Sequence, residues 1–205
     1  MSDKTIFLVR HAQPDFPEGV KLCLGPKVDL PLSDEGLDQA RLLARFFAPL
    51  PVEKVFVSPL RRAQQTAQPI AGCRCPLVTL DLLTELDGGE WDGLSFDEIR
   101  QRSQTGMRGG CPPGGESDAS GLERMLQALQ IIDENTVRCA VAVAHGGVNR
   151  LLLCALSGRP SREKKQFAQD YAAVSILEKT NGVWRVAAVG LTSAQLNATK
   201  YRLTV

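Results

Sequence analysis

Short apolar runs alternate with segments of helical periodicity along this chain, and this alternation constrains its fold more than any other feature. Four of the runs have the length of a buried strand: 6–9, 55–57, 77–80 and 140–144. Between them apolar residues recur at helical spacing, first at Leu37, Ala40, Leu43, Ala44 and Phe47. This order predicts an α/β fold, a three-layer α/β/α sandwich with helices on both faces of a mostly parallel central sheet.

Capping and breaking signals place the elements between and after these runs. Ser33 is a typical N-cap for the first helix, and Pro49 and Pro51 end it. An Asn181-Gly182 turn predicts a terminal hairpin between two further apolar runs. The segment near 104–117 is rich in Gly and Pro, which predicts a lid-like loop inside one domain spanning 1–205.

Composition excludes several classes of function. The 205 residues carry 24 Lys and Arg against 23 Asp and Glu, so the chain lacks the overall positive field of a nucleic-acid-binding protein. No apolar run is long enough for a signal-peptide core or a membrane span, which predicts a cytoplasmic protein without a membrane partner. The six cysteines are widely spread, which favours reduced thiols over disulfides or a zinc site.

The chain has only two histidines, and both follow a predicted strand. Arg10-His11 ends the first strand, Ser58 to Arg62 follows the second, and His145-Gly146-Gly147 follows run 140–144. Because the carboxyl ends of parallel strands share one edge of the sheet, we expect these three clusters to converge there.

Several imidazoles and guanidiniums in one place are costly without an anion between them, and a phosphate group removes that cost. Arginine donors match phosphate oxygens, and helix N-termini after Pro59 and Gly146 are expected to add backbone N–H groups. A neutral imidazole can attack phosphorus, which gives a phosphohistidine intermediate and makes the pocket catalytic. The second histidine and the arginines then stabilise the charge on the transferring group.

The leaving alkoxide of such a reaction needs a proton donor. Glu85 opens an acidic segment after the third strand and is the candidate for this role. Spacing alone does not exclude three rivals in the same segment: Asp87, Glu90 and Asp92. Ser58 either caps the following helix or positions a residue of the site without contacting the substrate.

The ordered motifs together resemble the histidine phosphatase superfamily, the phosphoglycerate mutase-like proteins. Leu8-Val-Arg-His11-Ala-Gln13 is similar to the family's Leu-Val-Arg-His-Gly-Glu motif. Residues 58–67 match its Ser-Pro-Leu-x-Arg-Ala-x-Gln-Thr-Ala pattern, 84–93 resemble the segment that carries its acid, and 143–148 resemble its second-histidine motif. The match covers roughly residues 5 to 156 in the family's order, and four ordered motifs are far more specific than one.

The resemblance implies a phosphoglycerate mutase-like fold and a metal-independent phosphatase that needs no cofactor and takes a small phosphorylated substrate. It implies His11 as the nucleophile, Glu85 as the acid, and three groups that bind the phosphoryl group: Arg10, Arg62 and His145. Gln13 and Gly146 are further candidates for substrate binding.

The chain also departs from the family's pattern. Ala12 stands where a glycine is common. Pro17 stands where the family often has an asparagine, so Gln13 is a candidate substitute for that asparagine.

Two other functions stay open at this point. A phosphoglycerate mutase uses the same residues but needs a longer enclosing lid than the segment near 104–117 offers. A non-catalytic module that binds a phosphorylated ligand is the third alternative. Cys23 to Gly25 and Asp29 to Ser33 resemble the α-ribazole phosphatases, which suggests α-ribazole 5′-phosphate as substrate. The sequence leaves the oligomeric state open, a dimer included.

Overall fold

A computed structural model describes residues 4–104 and 111–198. Its centre is a six-stranded sheet in the order β3-β2-β4-β1-β5-β6, in which β5 runs antiparallel to β1 and β6 antiparallel to β5. The other neighbours pair in parallel, as the alternating sequence predicts. The strands are β1 (Lys4–Arg10), β2 (Lys54–Val57), β3 (Leu77–Thr79), β4 (Cys139–Ala144), β5 (Val174–Thr180) and β6 (Val183–Leu191).

Helices cover both faces of this sheet. Their bounds are α1 (Asp34–Phe47), α2 (Arg61–Ala71), α3 (Phe96–Gln104), α4 (Asp118–Glu134), α5 (Gly146–Leu156) and α6 (Ser193–Ala198). Side chains of β1 alternate between two cores: Phe7 and Val9 pack with α1 and α2, whereas Ile6 and Leu8 pack with α4 and α5. The three-layer sandwich predicted from the sequence is therefore confirmed. Within the two described ranges, no helix has both the length and the apolar character needed to cross a membrane.

Residues 105–110 of the Gly- and Pro-rich segment near 104–117 lie outside the described ranges. Its second half packs against the acidic segment after β3. The N–H of Glu90 donates to the Pro113 carbonyl at 3.0 Å, and the N–H of Glu116 donates to the Asp87 carbonyl at 2.8 Å. The described part of the Gly- and Pro-rich loop thus supports the segment that carries Glu85.

The N-terminus of α1 packs tightly on the chain that follows β1. The Ser33 side chain caps the helix by accepting the Gly36 N–H at 3.1 Å. A Cβ atom at Gly36 would lie 2.1 Å from the backbone carbonyl oxygen of Gln13, a distance that no relaxed structure allows. Only glycine therefore permits this contact, which fixes the chain two residues beyond His11.

Gly36→Ala should consequently destabilise the protein by about 1–3 kcal/mol, because the helix and the segment after β1 must separate. Urea unfolding followed by circular dichroism measures this loss. Asp38→Ala is the control, since Asp38 lies in the same helix with its side chain 71% exposed. Equal midpoints for the wild type and Gly36→Ala would contradict the close approach.

Candidate active site

The carboxyl ends of three adjacent strands bring the predicted clusters together. The ladder continues beyond the strands, because the His11 N–H donates to the Ala144 carbonyl at 2.9 Å and the Ser58 N–H to the Val143 carbonyl at 3.1 Å. The two imidazole rings lie with their centroids 5.0 Å apart. The convergence expected at one edge of the sheet is therefore present.

The His11 ring is buried and its orientation is fixed. Its Nδ1 lies 2.7 Å from the backbone carbonyl oxygen of Ala12. A carbonyl can only accept, so Nδ1 carries the proton and the lone pair of the neutral ring is on Nε2. The Ala12 N–H donates to Thr66 Oγ1 at 2.9 Å, which ties this turn to α2.

Both histidines are kept neutral by their surroundings. Burial, followed by the positive charges of Arg10 and Arg62, holds the pKa of His11 well below 6.5. Burial also lowers the pKa of His145 well below 6.5, and Arg62, His11, Arg10 and Arg124 add to this effect. Neutral imidazole is the form in which Nε2 of His11 can act as a nucleophile.

We therefore expect neither imidazole to take up a proton where an unperturbed histidine does, between about pH 8 and pH 5. Proton NMR of the ring signals measures this, and no other histidine overlaps because the chain has 2. The unfolded chain binds more protons below pH 6.5, so the free energy of unfolding should fall as the pH falls below that value. A ring that titrates at or above 6.5 would contradict the described burial.

Two arginines face this pair of histidines, and each is held by backbone carbonyls. Arg62 is fully buried, and its terminal nitrogens donate to the carbonyls of Leu24 at 2.9 Å and Val28 at 3.0 Å. Nη1 of Arg10 donates to the Gln169 carbonyl at 2.5 Å. The arginines are thus tethered at their ends, which leaves their Nε atoms for other partners.

Three buried nitrogens at this site have no hydrogen-bond partner among the described residues: Nε of Arg10, Nε of Arg62 and Nδ1 of His145. Buried polar groups are rarely left unpaired, so each needs an explanation. Ser58 Oγ lies 2.8 Å from Nε2 of His145, so it supports the site as well as the turn before α2. The two guanidinium N–H groups are suited to an anion with several oxygens, such as a phosphoryl group, and the free ring nitrogen of His145 lies at the same site.

Glu85 lies at the N-terminus of α5. Its carboxylate accepts the N–H groups of Leu86 at 2.9 Å, Gly147 at 2.9 Å and Val148 at 3.1 Å. The sequence interpretation assigned the N–H groups of this helix to phosphate, but in the structure Glu85 takes the second and third of them. A Cβ at Gly146, the first residue of α5, would approach Nε of Arg10 to 3.1 Å, so the start of this helix lies close to Arg10.

The helix after Pro59 differs in the same way. The N–H of Arg61, the first residue of α2, donates to Asp29 at 2.7 Å. The side-chain amide of Gln13 is likewise bound to a carboxylate, because it donates to Glu35 at 3.0 Å. The Arg61 N–H and the Gln13 amide, both expected to bind phosphate, are therefore each hydrogen-bonded to a carboxylate.

The three acidic rivals of Glu85 have other surroundings. Asp87 pairs with Lys27 at 3.2 Å and accepts the Gly89 N–H at 2.7 Å. Asp92 accepts the Gly25 N–H at 2.9 Å and so holds the loop that wraps Arg62, while Glu90 is exposed. Of the four carboxylates, Glu85 is the one that contacts the helix following His145.

Sequence reasoning missed a residue that positions the Glu85 segment. Arg124 in α4 donates to the carbonyls of Leu82 and Thr84, both at 2.7 Å, and pairs with Glu116 at 2.6 Å. It therefore holds the chain immediately before Glu85. Nothing in the helical pattern of α4 distinguishes this arginine from a solvated one.

Known proteins share both the sequence pattern and the fold. The family model described as "Histidine phosphatase superfamily (branch 1)" matches residues 6–192. An acid phosphatase of Mycobacterium tuberculosis is 30% identical over 192 residues, which cover 91% of this chain and 92% of the relative. Phosphoserine phosphatase 1 of Hydrogenobacter thermophilus is 29% identical over 182 residues, which cover 84% of this chain and 85% of that relative.

Structural similarity extends over the same length. The α-ribazole phosphatase from Shigella flexneri superposes with a TM-score of 0.79 at 21% identity, covering 91% of this chain and 96% of that one. That likeness shows the shared α/β fold. Together with the family model and the 30% identical relative, it shows that this chain belongs to the histidine phosphatase superfamily.

Proposed function

We propose that this protein is a phosphomonoesterase that hydrolyses a small phosphorylated metabolite through a phosphohistidine formed on His11. One observation carries the proposal. A buried, neutral imidazole with its lone pair on Nε2 lies beside two buried guanidinium N–H groups, those of Nε in Arg10 and Arg62, that lack partners within the described ranges. A nucleophile surrounded by donors for equatorial oxygens is the arrangement that phosphoryl transfer requires.

In the first step, Nε2 of His11 attacks phosphorus, the N–P bond forms and the bond to the leaving oxygen breaks. Arg10, Arg62 and His145 stabilise the charge on the equatorial oxygens, and Gly146 is a further candidate for contact with them. The carbonyl of Ala12, 2.7 Å from Nδ1, stabilises the positive charge on the phosphorylated ring. Glu85 is the acid that gives a proton to the departing alkoxide.

In the second step, the Glu85 carboxylate accepts a proton from water, whose oxygen attacks the phosphohistidine. The N–P bond breaks, inorganic phosphate leaves, and His11 returns to its neutral form with the proton on Nδ1. Glu85 ends protonated, ready for the next cycle.

We further propose that the reaction needs no metal ion, because guanidinium and imidazole groups supply the positive charge. Among the residues that the structure describes, no group of three or more His, Cys, Asp or Glu side chains is arranged to hold a metal. Incubation with a chelator should leave kcat unchanged. A loss that is reversed by adding a divalent cation would contradict this part of the proposal.

The finer substrate assignment that we propose is α-ribazole 5′-phosphate, on the resemblance of residues 23–25 and 29–33 to the α-ribazole phosphatases. A panel of phosphorylated metabolites, including this compound, phosphoserine and 3-phosphoglycerate, tests it by release of inorganic phosphate. Highest kcat/KM on α-ribazole 5′-phosphate is expected.

The same panel tests the two alternatives. Conversion of 3-phosphoglycerate to its isomer without phosphate release would instead show a mutase. Binding of vanadate without turnover of any member of the panel would show a binding module.

A further inference from the structure

The segment 167–173, far along the chain from the recognised motifs, contacts the proposed nucleophile and its neighbouring arginine. Cζ of Arg10 lies 4.0 Å from the centroid of the Tyr171 ring, within the distance of a cation–π contact. The same ring lies 5.7 Å from the His11 ring, centroid to centroid. Tyr171 is therefore next to both members of the Arg10-His11 pair.

A second contact from this segment holds the same guanidinium. The backbone carbonyl of Gln169 accepts Nη1 of Arg10 at 2.5 Å. One terminal nitrogen is thereby bound to a carbonyl while Cζ lies over the tyrosine ring. Nε of Arg10 is buried and has no partner among the described residues, so it is available to an oxygen of the substrate.

The position of the Gln169 carbonyl is itself fixed by a buried polar network. Gln169 is 2% exposed, and its side chain accepts the Asn149 amide at 3.1 Å and donates to Ser175 Oγ at 3.0 Å. Asn149 belongs to α5 and Ser175 to β5, and both are fully buried. Two elements of the core thus determine where this loop presents its carbonyl.

The backbone of the same loop is locked to the strand that carries the site. The Arg10 N–H donates to the Ala173 carbonyl at 3.0 Å, and the Ala172 N–H donates to the His11 carbonyl at 3.2 Å. Ala172 has a φ of 57°, a left-handed conformation that alanine rarely adopts. Such a conformation persists only where the surrounding contacts determine it, and at functional sites it often holds a group in place.

We propose that Tyr171 and the Gln169 carbonyl clamp the Arg10 guanidinium, so that Tyr171 is a positioning residue for phosphoryl binding. This inference rests on the proposed function, in which Arg10 binds the transferring group. An arginine side chain has several rotatable bonds, so fixing it in one orientation costs conformational entropy. If the side chain is already held before substrate arrives, this cost does not add to the barrier of the reaction. The ring face supplies the contact, so the hydroxyl group of Tyr171 is dispensable.

Three variants test this clamp: Tyr171→Leu, Tyr171→Phe and the control Trp184→Leu. Trp184 is another aromatic residue beside a cation, with Lys179 Nζ 5.8 Å from its ring centroid, and it lies on β6 at the edge of the sheet. The measurements are kcat and KM for an aryl phosphate, the Kd of orthovanadate, and the thermal midpoint of each variant.

Tyr171→Leu should lower kcat and weaken vanadate binding by about tenfold each, the size expected when a partly buried cation–π contact is lost. Tyr171→Phe should restore most of both, because its ring presents the same face to Arg10. Trp184→Leu should leave both unchanged. A merely structural role for Tyr171 would instead lower the thermal midpoint without a selective change in vanadate affinity.

The clamp is wrong if Tyr171→Leu folds and matches the wild type in kcat and vanadate affinity, or if Tyr171→Phe is as impaired as Tyr171→Leu. Should Tyr171→Leu not fold, Tyr171→Met supplies the same test with a flexible apolar side chain. A wild-type protein that releases no phosphate from any substrate would overturn the proposed function instead. The two failures are therefore distinguishable.

Discussion

His11→Asn is expected to lower kcat by roughly 10⁴-fold or more, because it removes the proposed nucleophile. Asparagine retains an amide of similar size but has no nucleophilic lone pair. The measurement is phosphate release from an aryl phosphate and from the best member of the metabolite panel.

Orthovanadate binding and the thermal midpoint serve as controls for this variant. Arg10, Arg62 and His145 remain in place, so the variant should still bind the anion and remain folded. Turnover within about tenfold of the wild type would show that His11 is not the nucleophile, since a factor of ten is only about 1.4 kcal/mol of transition-state stabilisation.

Glu85→Gln is expected to impair the enzyme according to the leaving group of the substrate. For alkyl phosphates, whose alkoxides need a proton, kcat should fall by roughly 10²–10⁴-fold. For aryl phosphates with an acidic phenol, the phosphorylation of His11 should be affected far less, because the phenolate leaves without a proton. A plot of log kcat/KM against the pKa of the leaving alcohol measures this difference and should be steeper for the variant.

Asp87→Asn is the matched control for this experiment. Asp87 lies in the same segment but binds Lys27 and the Gly89 N–H, not the start of α5. Its substitution should leave the dependence on the leaving group unchanged. The assignment of the acid would move to Asp87 if only Asp87→Asn showed the steeper dependence.

The sequence predicted those parts of the fold and site that depend on local pattern. Apolar runs of strand length gave the parallel sheet, and the polar residues that follow β1, β2 and β4 meet at its edge because parallel strands end on the same side. The small number of histidines also helped to locate the site, because both lie at that edge and their rings are 5.0 Å apart. These inferences needed neither a side-chain conformation nor a long-range contact.

The sequence did not predict which distant groups form hydrogen bonds with each other. The N–H groups of Gly147 and Val148 bind Glu85, 62 or more residues earlier, and the Gln13 amide binds Glu35. Arg10 meets the Gln169 carbonyl across 159 positions. No periodicity or spacing reports such pairings, because a tyrosine, a glutamine or an arginine in an ordinary helix or loop looks the same whether or not it faces the site.

The most direct test of the central claim is to trap the phosphoenzyme. The protein is mixed with a labelled aryl phosphate, quenched within one turnover in alkali, where a histidine–phosphorus bond survives, and digested for mass spectrometry. The account predicts one phosphorylated residue, His11, with a label that is lost in acid and absent from His11→Asn. Label on His145, on a serine or on a carboxylate, or steady turnover of His11→Asn with labelled protein still present, would contradict it.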